Sequence, residues 1–343
     1  MNLKELSEKL GLSQTTVSRA LNGYPEVSEK TRERVLEFAR MMNYRPNSNA
    51  RRLAIGRSNT IGHVAPLSDH DMINPHFTDF IAGAGEVYNE RGYDMLISVT
   101  NDGDEEQVYR KLARDRRVDG VILHGPKADD SRIELLRELK LPFVVHGRMA
   151  GPAEGYCWVD VNNRRAFRKA AEYLLKAGHR RIGLINGLEY FAFATRRREG
   201  LESALAEYGI APDPDIMFSG EMIEPNGFAA MTRFLAHPNP PTAVLCASVL
   251  TAIGAMRALQ ARGLSVGHDV SLVAYDDCLS FLPSTGEDPS MTVMRSSIRL
   301  AGRHCANMLI DQIEKKPGEQ HLLLEAEFVV GASTGPVSQK ATS

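Results

Sequence analysis

The chain has 343 residues, is 43% hydrophobic and 24% charged, and so has a globular composition that excludes disordered and fibrous classes and predicts about two to three folding units. Its apolar runs have only a strand's length, and residues 1–10 mix Lys4, Glu5, Glu8 and Lys9 where an export signal would be apolar. Both features point to a cytoplasmic protein with no membrane partner. Cys157, Cys246, Cys278 and Cys305 are too scattered for a C-x-x-C pair or a zinc set, so reduced thiols are expected, and neither metal nor cofactor. The net charge of −2 conceals an asymmetry: residues 1–60 hold 11 Lys and Arg against 6 Asp and Glu, a net +5, leaving the remainder at −7. A basic head suits phosphate binding, although so mild a segment is also what solvated surface looks like.

In chain order, the head reads as three short helices and a weaker fourth. Leu3, Leu6 and Leu10 recur at helical spacing after an Asn2–Glu5 cap, and Gly11 ends that helix. Ser13 caps a second helix with Val17, Ala20 and Leu21 inward, closed by Asn22-Gly23; Ser28 caps a third carrying Val35, Phe38, Ala39 and Met42. Two helices joined by a tight Gly-containing turn and braced by a third predict an all-α helix-turn-helix head. Gln14, Thr15, Ser18, Arg19 and Asn22 share the outer face of the second helix. Amide, hydroxyl and guanidinium groups there suit base edges in a major groove, though an isolated polar helix face is as readily plain solvated surface.

From Thr60 onward strands are expected over 60–66, 93–99, 120–124, 143–146, 157–161, 181–186, 216–218, 243–247, 271–274 and 291–294. Helix-length segments such as 77–91, 164–177, 196–208 and 250–263 alternate with them. This rhythm predicts parallel sheets covered on both faces, and so many strands predict two doubly wound lobes rather than one Rossmann unit, with a ligand cleft at the strands' carboxyl ends. The expected domains are a head over 1–46, a hinge or linker over 47–58, an α/β body over 59–337 and a polar tail over 338–343.

The run over 3–62, with TVSRALN, VSEKTRERV, NYRPN and ARRLA in that order, resembles the LacI/GalR signature, and the body resembles the periplasmic-binding-protein-like fold of that family. The resemblance implies a homodimer whose heads read a pseudo-palindromic operator in double-stranded DNA. Gln14, Thr15 and Arg19 then fall at base-contact positions, with Ser13, Thr16, Ser18, Asn22, Tyr44, Asn47 and Ala50 in the same DNA-binding surface. It further implies that the segment from Asn47 pairs with its dimer mate in the minor groove and that Leu53 wedges between base steps. In the body, IGHVAP, NPHF, VDVNN, AGHRRIGLING, TRRREGL, TAVLCA and VSLVAYDD fall in family order. These imply a sugar-like effector clamped by Arg197 and Asp276, with Phe77 where the family lines its cleft. Ser248, His146 and Arg148 at strand ends and the rings of Phe191, Phe193 and Trp158 are further candidates, although a lone histidine or aromatic is as readily core or surface. Arg197 could instead be one of three solvated arginines, and Asp276 a turn or cap residue.

Two departures from the family pattern stand out. Ser248-Val249 replaces an aspartate-bearing pair after TAVLCA, which alters the cleft's hydrogen-bond set or its ligand; an arginine before the closing Ser-Thr is replaced around Val330-Gly331. The tail lacks the leucine heptads of a tetramer-forming helix. The expected function is therefore an allosteric repressor of carbohydrate genes, an α-glucoside being one candidate effector. The alternatives are a sugar-acting enzyme or a sugar-binding protein on the same fold, although no G-x-G-x-x-G, P-loop, H-E-x-x-H or G-x-S-x-G motif supports catalysis.

Overall fold

The computed structural model describes residues 2–21, 23–44, 57–66, 75–101, 103–151, 154–280, 282 and 289–337, in two units, Met1–Asn59 and Thr60–Ser343. In the first unit each helix begins at a side-chain cap. Helix α1 (Leu3–Leu10) starts where the Glu5 amide donates to Asn2 Oδ1 at 2.9 Å and the Asn2 amide donates back to Glu5 Oε2 at 3.2 Å, which satisfies two of the terminal amides reciprocally. Gly11, at φ 65°, ends it. Helix α2 (Gln14–Leu21) starts where the Thr16 amide donates to Ser13 Oγ, and α3 (Glu29–Met41) where the Thr31 amide donates to Ser28 Oγ. Leu6, Leu10, Val17, Ala20, Val27, Val35 and Ala39 meet in one core, so the helical periodicity read from sequence is what closes this small unit.

The second unit holds two six-stranded sheets. In chain order its first part runs β1 (Thr60–Pro66), α4 (Pro75–Arg91), β2 (Asp94–Thr100), α5 (Glu105–Arg114), β3 (Gly120–His124), α6 (Ser131–Glu138), β4 (Phe143–His146) and β5 (Cys157–Val161). Then come α7 (Asn163–Lys176), β6 (Ile182–Asn186), α8 (Ala192–Glu207), β7 (Met217–Ser219), α9 (Glu224–Leu235), β8 (Ala243–Cys246), α10 (Val249–Ala261), β9 (Ser271–Asp276) and β10 (Thr292–Arg295). The chain ends with α11 (Ile298–Glu314), β11 (His321–Leu324) and β12 (Glu327–Val329). The sheet orders are β11-β5-β4-β3-β1-β2 and β12-β10-β9-β8-β6-β7. Every pairing is parallel except β10 with β12. Central strands such as β3 and β9 are apolar and buried along nearly their whole length, as a sheet covered on both faces demands.

One feature of this topology is absent from the strand–helix rhythm. After β10 the chain returns to the first lobe as α11 and β11, then crosses again to add β12 to the second. The expected strand list stopped at 294, because β11 and β12 have only four and three residues and β11 is half-exposed. Helix α11 seats against α4 at two glycines. A Cβ on Gly83 would lie 2.0 Å from the Arg299 carbonyl oxygen, and one on Gly302 would lie 2.2 Å from the Phe80 carbonyl oxygen. The same device joins α9 to α10 through Gly227 and Gly254. Since any side chain there forces the helix axes apart, Gly302→Ala should lower stability by at least about 2 kcal/mol. Urea unfolding of the variant checks this, and an unchanged midpoint would contradict the packing.

Candidate functional site

The two sheets present their carboxyl ends to a shared cleft of about 810 Å³, within the range of a small-molecule site. The cleft is closed from both lobes. His76 at the start of α4 bonds Asp277 after β9 (Nε2 to Oδ2 2.9 Å), and the Ser280 amide donates to Asp79 Oδ2 at 2.8 Å. On the other side the Ala192 amide donates to the Pro126 carbonyl at 3.1 Å, and Arg196 donates to the carbonyls of Arg148 (2.9 Å) and Met149.

Arg197 is the central cation. Only 5% exposed, it donates from Nε to Asn163 Oδ1 at 2.8 Å and from Nη1 to the Ala247 carbonyl at 2.6 Å. Its guanidinium lies over the rings of Tyr275, Phe193 and Phe167 at 4.0, 4.9 and 5.2 Å. Burial pushes its pKa down, opposed by Tyr275 and Asp277. The fixed guanidinium so framed is a planar donor set with apolar faces around it, suited to paired oxygens on a ring. Nearby, Asp160 at the end of β5 takes Arg148 Nε at 2.8 Å, with Arg196 at 3.6 Å. Burial raises the Asp160 carboxyl, and Arg196 and Arg148 oppose the rise.

Of the expected effector residues, Phe77, His146, Arg148, Phe193 and Arg197 border this cleft. Asp276 does not: its carboxylate accepts the Cys278 amide at 2.8 Å and faces Arg295 Nε at 3.3 Å, and the next residue, Asp277, occupies the lining. The parity of strand β9 decides this, because neighbouring side chains point to opposite faces. Ser248 is also outside the lining. It is fully buried and caps α10, accepting the Leu250 amide at 3.2 Å. Trp158 stacks on His321 at 5.0 Å, away from the lining, whereas Phe191 borders the cleft.

The sequence reading missed Asp160, Asn163, Arg196, Asp277 and two histidines, His63 and His124. The VDVNN and YDD strand ends were the available signal; the histidines had none, since only the β1–β3 pairing brings them together. In the head, Ser13, Gln14, Thr15 and Arg19 are exposed on and beside α2. Thr16 and Ser18 are half-buried, and the Thr16 hydroxyl lies 2.8 Å from Ser13 Oγ within the cap. Tyr44 packs partly against the head core. Asn22, Asn47, Ala50 and Leu53 lie outside the described residues.

The fully buried His63 has its pKa lowered by burial to about 3. Its unfolded counterpart titrates near its ordinary value of 6.5, so between these two pH values the unfolded chain binds the extra proton. The stability it contributes is therefore complete above pH 6.5 and lost as pH falls towards 3, at about 1.4 kcal/mol per pH unit. Urea unfolding of the wild type and His63→Gln between pH 7.5 and 5 should show a shallower pH slope in the variant, and equal slopes would contradict this assignment.

Residues 2–47 match the family described as "Bacterial regulatory proteins, lacI family", and residues 171–334 match "Periplasmic binding protein-like domain". The chain is 46% identical over 342 residues to the HTH-type transcriptional regulator AglR of Rhizobium meliloti (strain 1021), covering 99% of this chain and 96% of that one. Its fold is similar to a solved complex of the transcriptional regulator CelR with cellobiose, at TM-score 0.71 and 31% identity over 97% of this chain and 99% of that one. It is also similar to the lac repressor dimer bound to operator and the anti-inducer ONPF, at TM-score 0.83 and 26% identity over 98% and 99% of the two chains. The helix-turn-helix head, the two parallel-sheet lobes and these relatives agree: the chain is a DNA-binding transcription regulator rather than an enzyme, and it belongs to the LacI family.

Proposed function

We propose that this regulator is a cytoplasmic homodimeric repressor of carbohydrate-utilisation genes, released from a pseudo-palindromic operator by a sugar-like effector. The observation that carries the reading is the composition of the cleft. Arg197, Asp277, Asp160 and Arg148 supply charged hydrogen-bonding groups beside the faces of Phe77 and Phe193, the pairing of polar edge and apolar face that a carbohydrate ring presents. His146 borders the same space. That CelR was solved with cellobiose and the lac repressor as a dimer on its operator supports both halves of the proposal.

On this reading Gln14, Thr15 and Arg19 read base edges, while Ser13, Thr16, Ser18, Asn22, Tyr44, Asn47 and Ala50 hold the head on the duplex and Leu53 enters the minor groove. The head is 1–46, the hinge 47–58, the body 59–337 and the tail 338–343. Binding and release are linked by a coupling free energy: the effector favours one arrangement of the lobes, and that arrangement disfavours the paired hinge segments.

The test titrates cellobiose, maltose, trehalose and glucose into the protein bound to DNA from upstream of its own gene. At least one sugar should release the DNA; if all four leave it bound, or a sugar tightens it, the proposed direction is wrong. Arg197→Lys, which loses the planar donor pair, should weaken that sugar about 100-fold while operator affinity stays the same, as calorimetry and gel shift would report. Leu53→Ala should show the converse, a loss of at least about tenfold in operator affinity with sugar binding intact; unchanged operator affinity removes the leucine from the mechanism.

A further inference from the structure

From the cleft lining, a row of hydrogen bonds leads into the core of the first lobe. His124, at the end of β3, borders the cleft with its ring edge-on to Phe77 at 5.5 Å and Phe80 at 4.7 Å. Its Nε2 lies 3.0 Å from Nδ1 of His63 on β1, and Nε2 of His63 lies 3.0 Å from the Tyr88 hydroxyl on α4. His63 is fully buried and Tyr88 nearly so. Burial raises the Tyr88 phenol well above its ordinary range and holds His63 neutral near pH 7. Each neutral imidazole therefore has one N–H and one lone pair to place, and the phenol has one proton.

Only two proton arrangements fit this row. In one, Tyr88 donates to His63 Nε2, His63 donates from Nδ1 to His124 Nε2, and His124 carries its proton on Nδ1. In the other, every bond is reversed and Tyr88 must accept, so its own proton needs a second acceptor. Among the described residues Tyr88 makes no other hydrogen bond; the buried Cys305 thiol interacts with it electrostatically without bonding to it. Reversal therefore buries an unmatched donor, the costlier state.

We infer that Tyr88 and His63 are positioning residues that lock His124 in the Nδ1–H form. The nitrogen of His124 that has no partner among the described residues is then a permanent donor in the cleft. Such a site selects a ligand oxygen with a lone pair, a hydroxyl or a glycosidic or ring ether, over an ammonium group in the same place. This rests on the cleft being the effector site, and the experiment separates the two ideas.

In full-length protein labelled with ¹⁵N-histidine, long-range ¹H–¹⁵N spectra without ligand should show both His63 and His124 protonated at Nδ1, the signals being assigned by their loss in His63→Gln and His124→Gln. Protonation of either at Nε2 overturns the inference whatever the ligand. Tyr88→Phe keeps the ring and removes the proton that sets the order. With operator binding retained as the check on folding, it should show mixed tautomers at His124. It should also bind about tenfold more weakly whichever of cellobiose, maltose or trehalose the wild type binds. A single Nδ1–H form in Tyr88→Phe, or an affinity within twofold of wild type, overturns the inference. If wild type binds none of the three, the effector reading fails, and the spectra alone still decide the tautomer.

Discussion

Three passages of the chain between the lobes, at residues 161–163, 295–298 and 324–327, constrain everything else in the body. They are tied to each other. The Asn162 amide donates to the Leu324 carbonyl at 2.8 Å and its side chain to Glu325 at 2.8 Å, while Arg295 pairs with Glu327 where β10 meets β12, Nη1 lying 3.9 Å from Oε2. A single crossing would leave the lobes free to swing and twist. Three linked crossings leave a restricted hinge motion, so the two sets of strand ends face each other at a fixed edge and open at the other. The cleft exists because of that restriction, and closure by His76–Asp277 and Asp79–Ser280 can assemble the same site on each cycle.

The hinge also explains how a charge as buried as Arg197 is tolerated. Removing a guanidinium from water is costly unless its hydrogen bonds and charge are answered. Here Asn163, beside the first crossing, and the Ala247 carbonyl, at the end of β8, fix two nitrogens, and three aromatic rings cover the faces. The Ala247 carbonyl is available because the chain continues with Ser248 as a helix cap turned inward rather than with a side chain aimed into the cleft. The departure from the family pattern at Ser248-Val249 thus has a local physical consequence: the polar reach of that corner comes from Arg197 itself.

How far the sequence spoke depends on whether a feature is local. Caps and helix faces in the head, from Asn2–Glu5 to Ser28, are settled within four residues and were legible, as was the alternation of strands with helices. Arg197 was legible through the TRRREGL run. By contrast, choosing between Asp276 and Asp277 required the register and twist of β9, which one residue of slip inverts. The Tyr88–His63–His124 row joins residues 25 and 61 positions apart, and no periodicity marks it. The return of α11 to the first lobe was equally hidden, because its partner glycine, Gly83, lies more than two hundred positions earlier and carries no side chain to pattern.

The separation of charge between head and body makes a further point about control. With +5 on residues 1–60 and −7 on the rest, attraction to phosphate belongs to the head, and the body is repelled from DNA at close range. On the proposed homodimer reading, the body then adds to affinity chiefly by bringing two heads together. On that same reading, the segment 47–58 and its copy in the dimer mate are what link the two heads to the body. On that reading, a small change in lobe arrangement that separates two such segments removes the proposed minor-groove contribution. The remaining major-groove contacts of two uncoupled heads then lose the effective concentration that bound them as a pair. On this account the strength of the switch is set by the chain between Arg45 and Arg57 more than by the tightness of the sugar, since a ligand shifts an equilibrium only by its differential affinity for the two states.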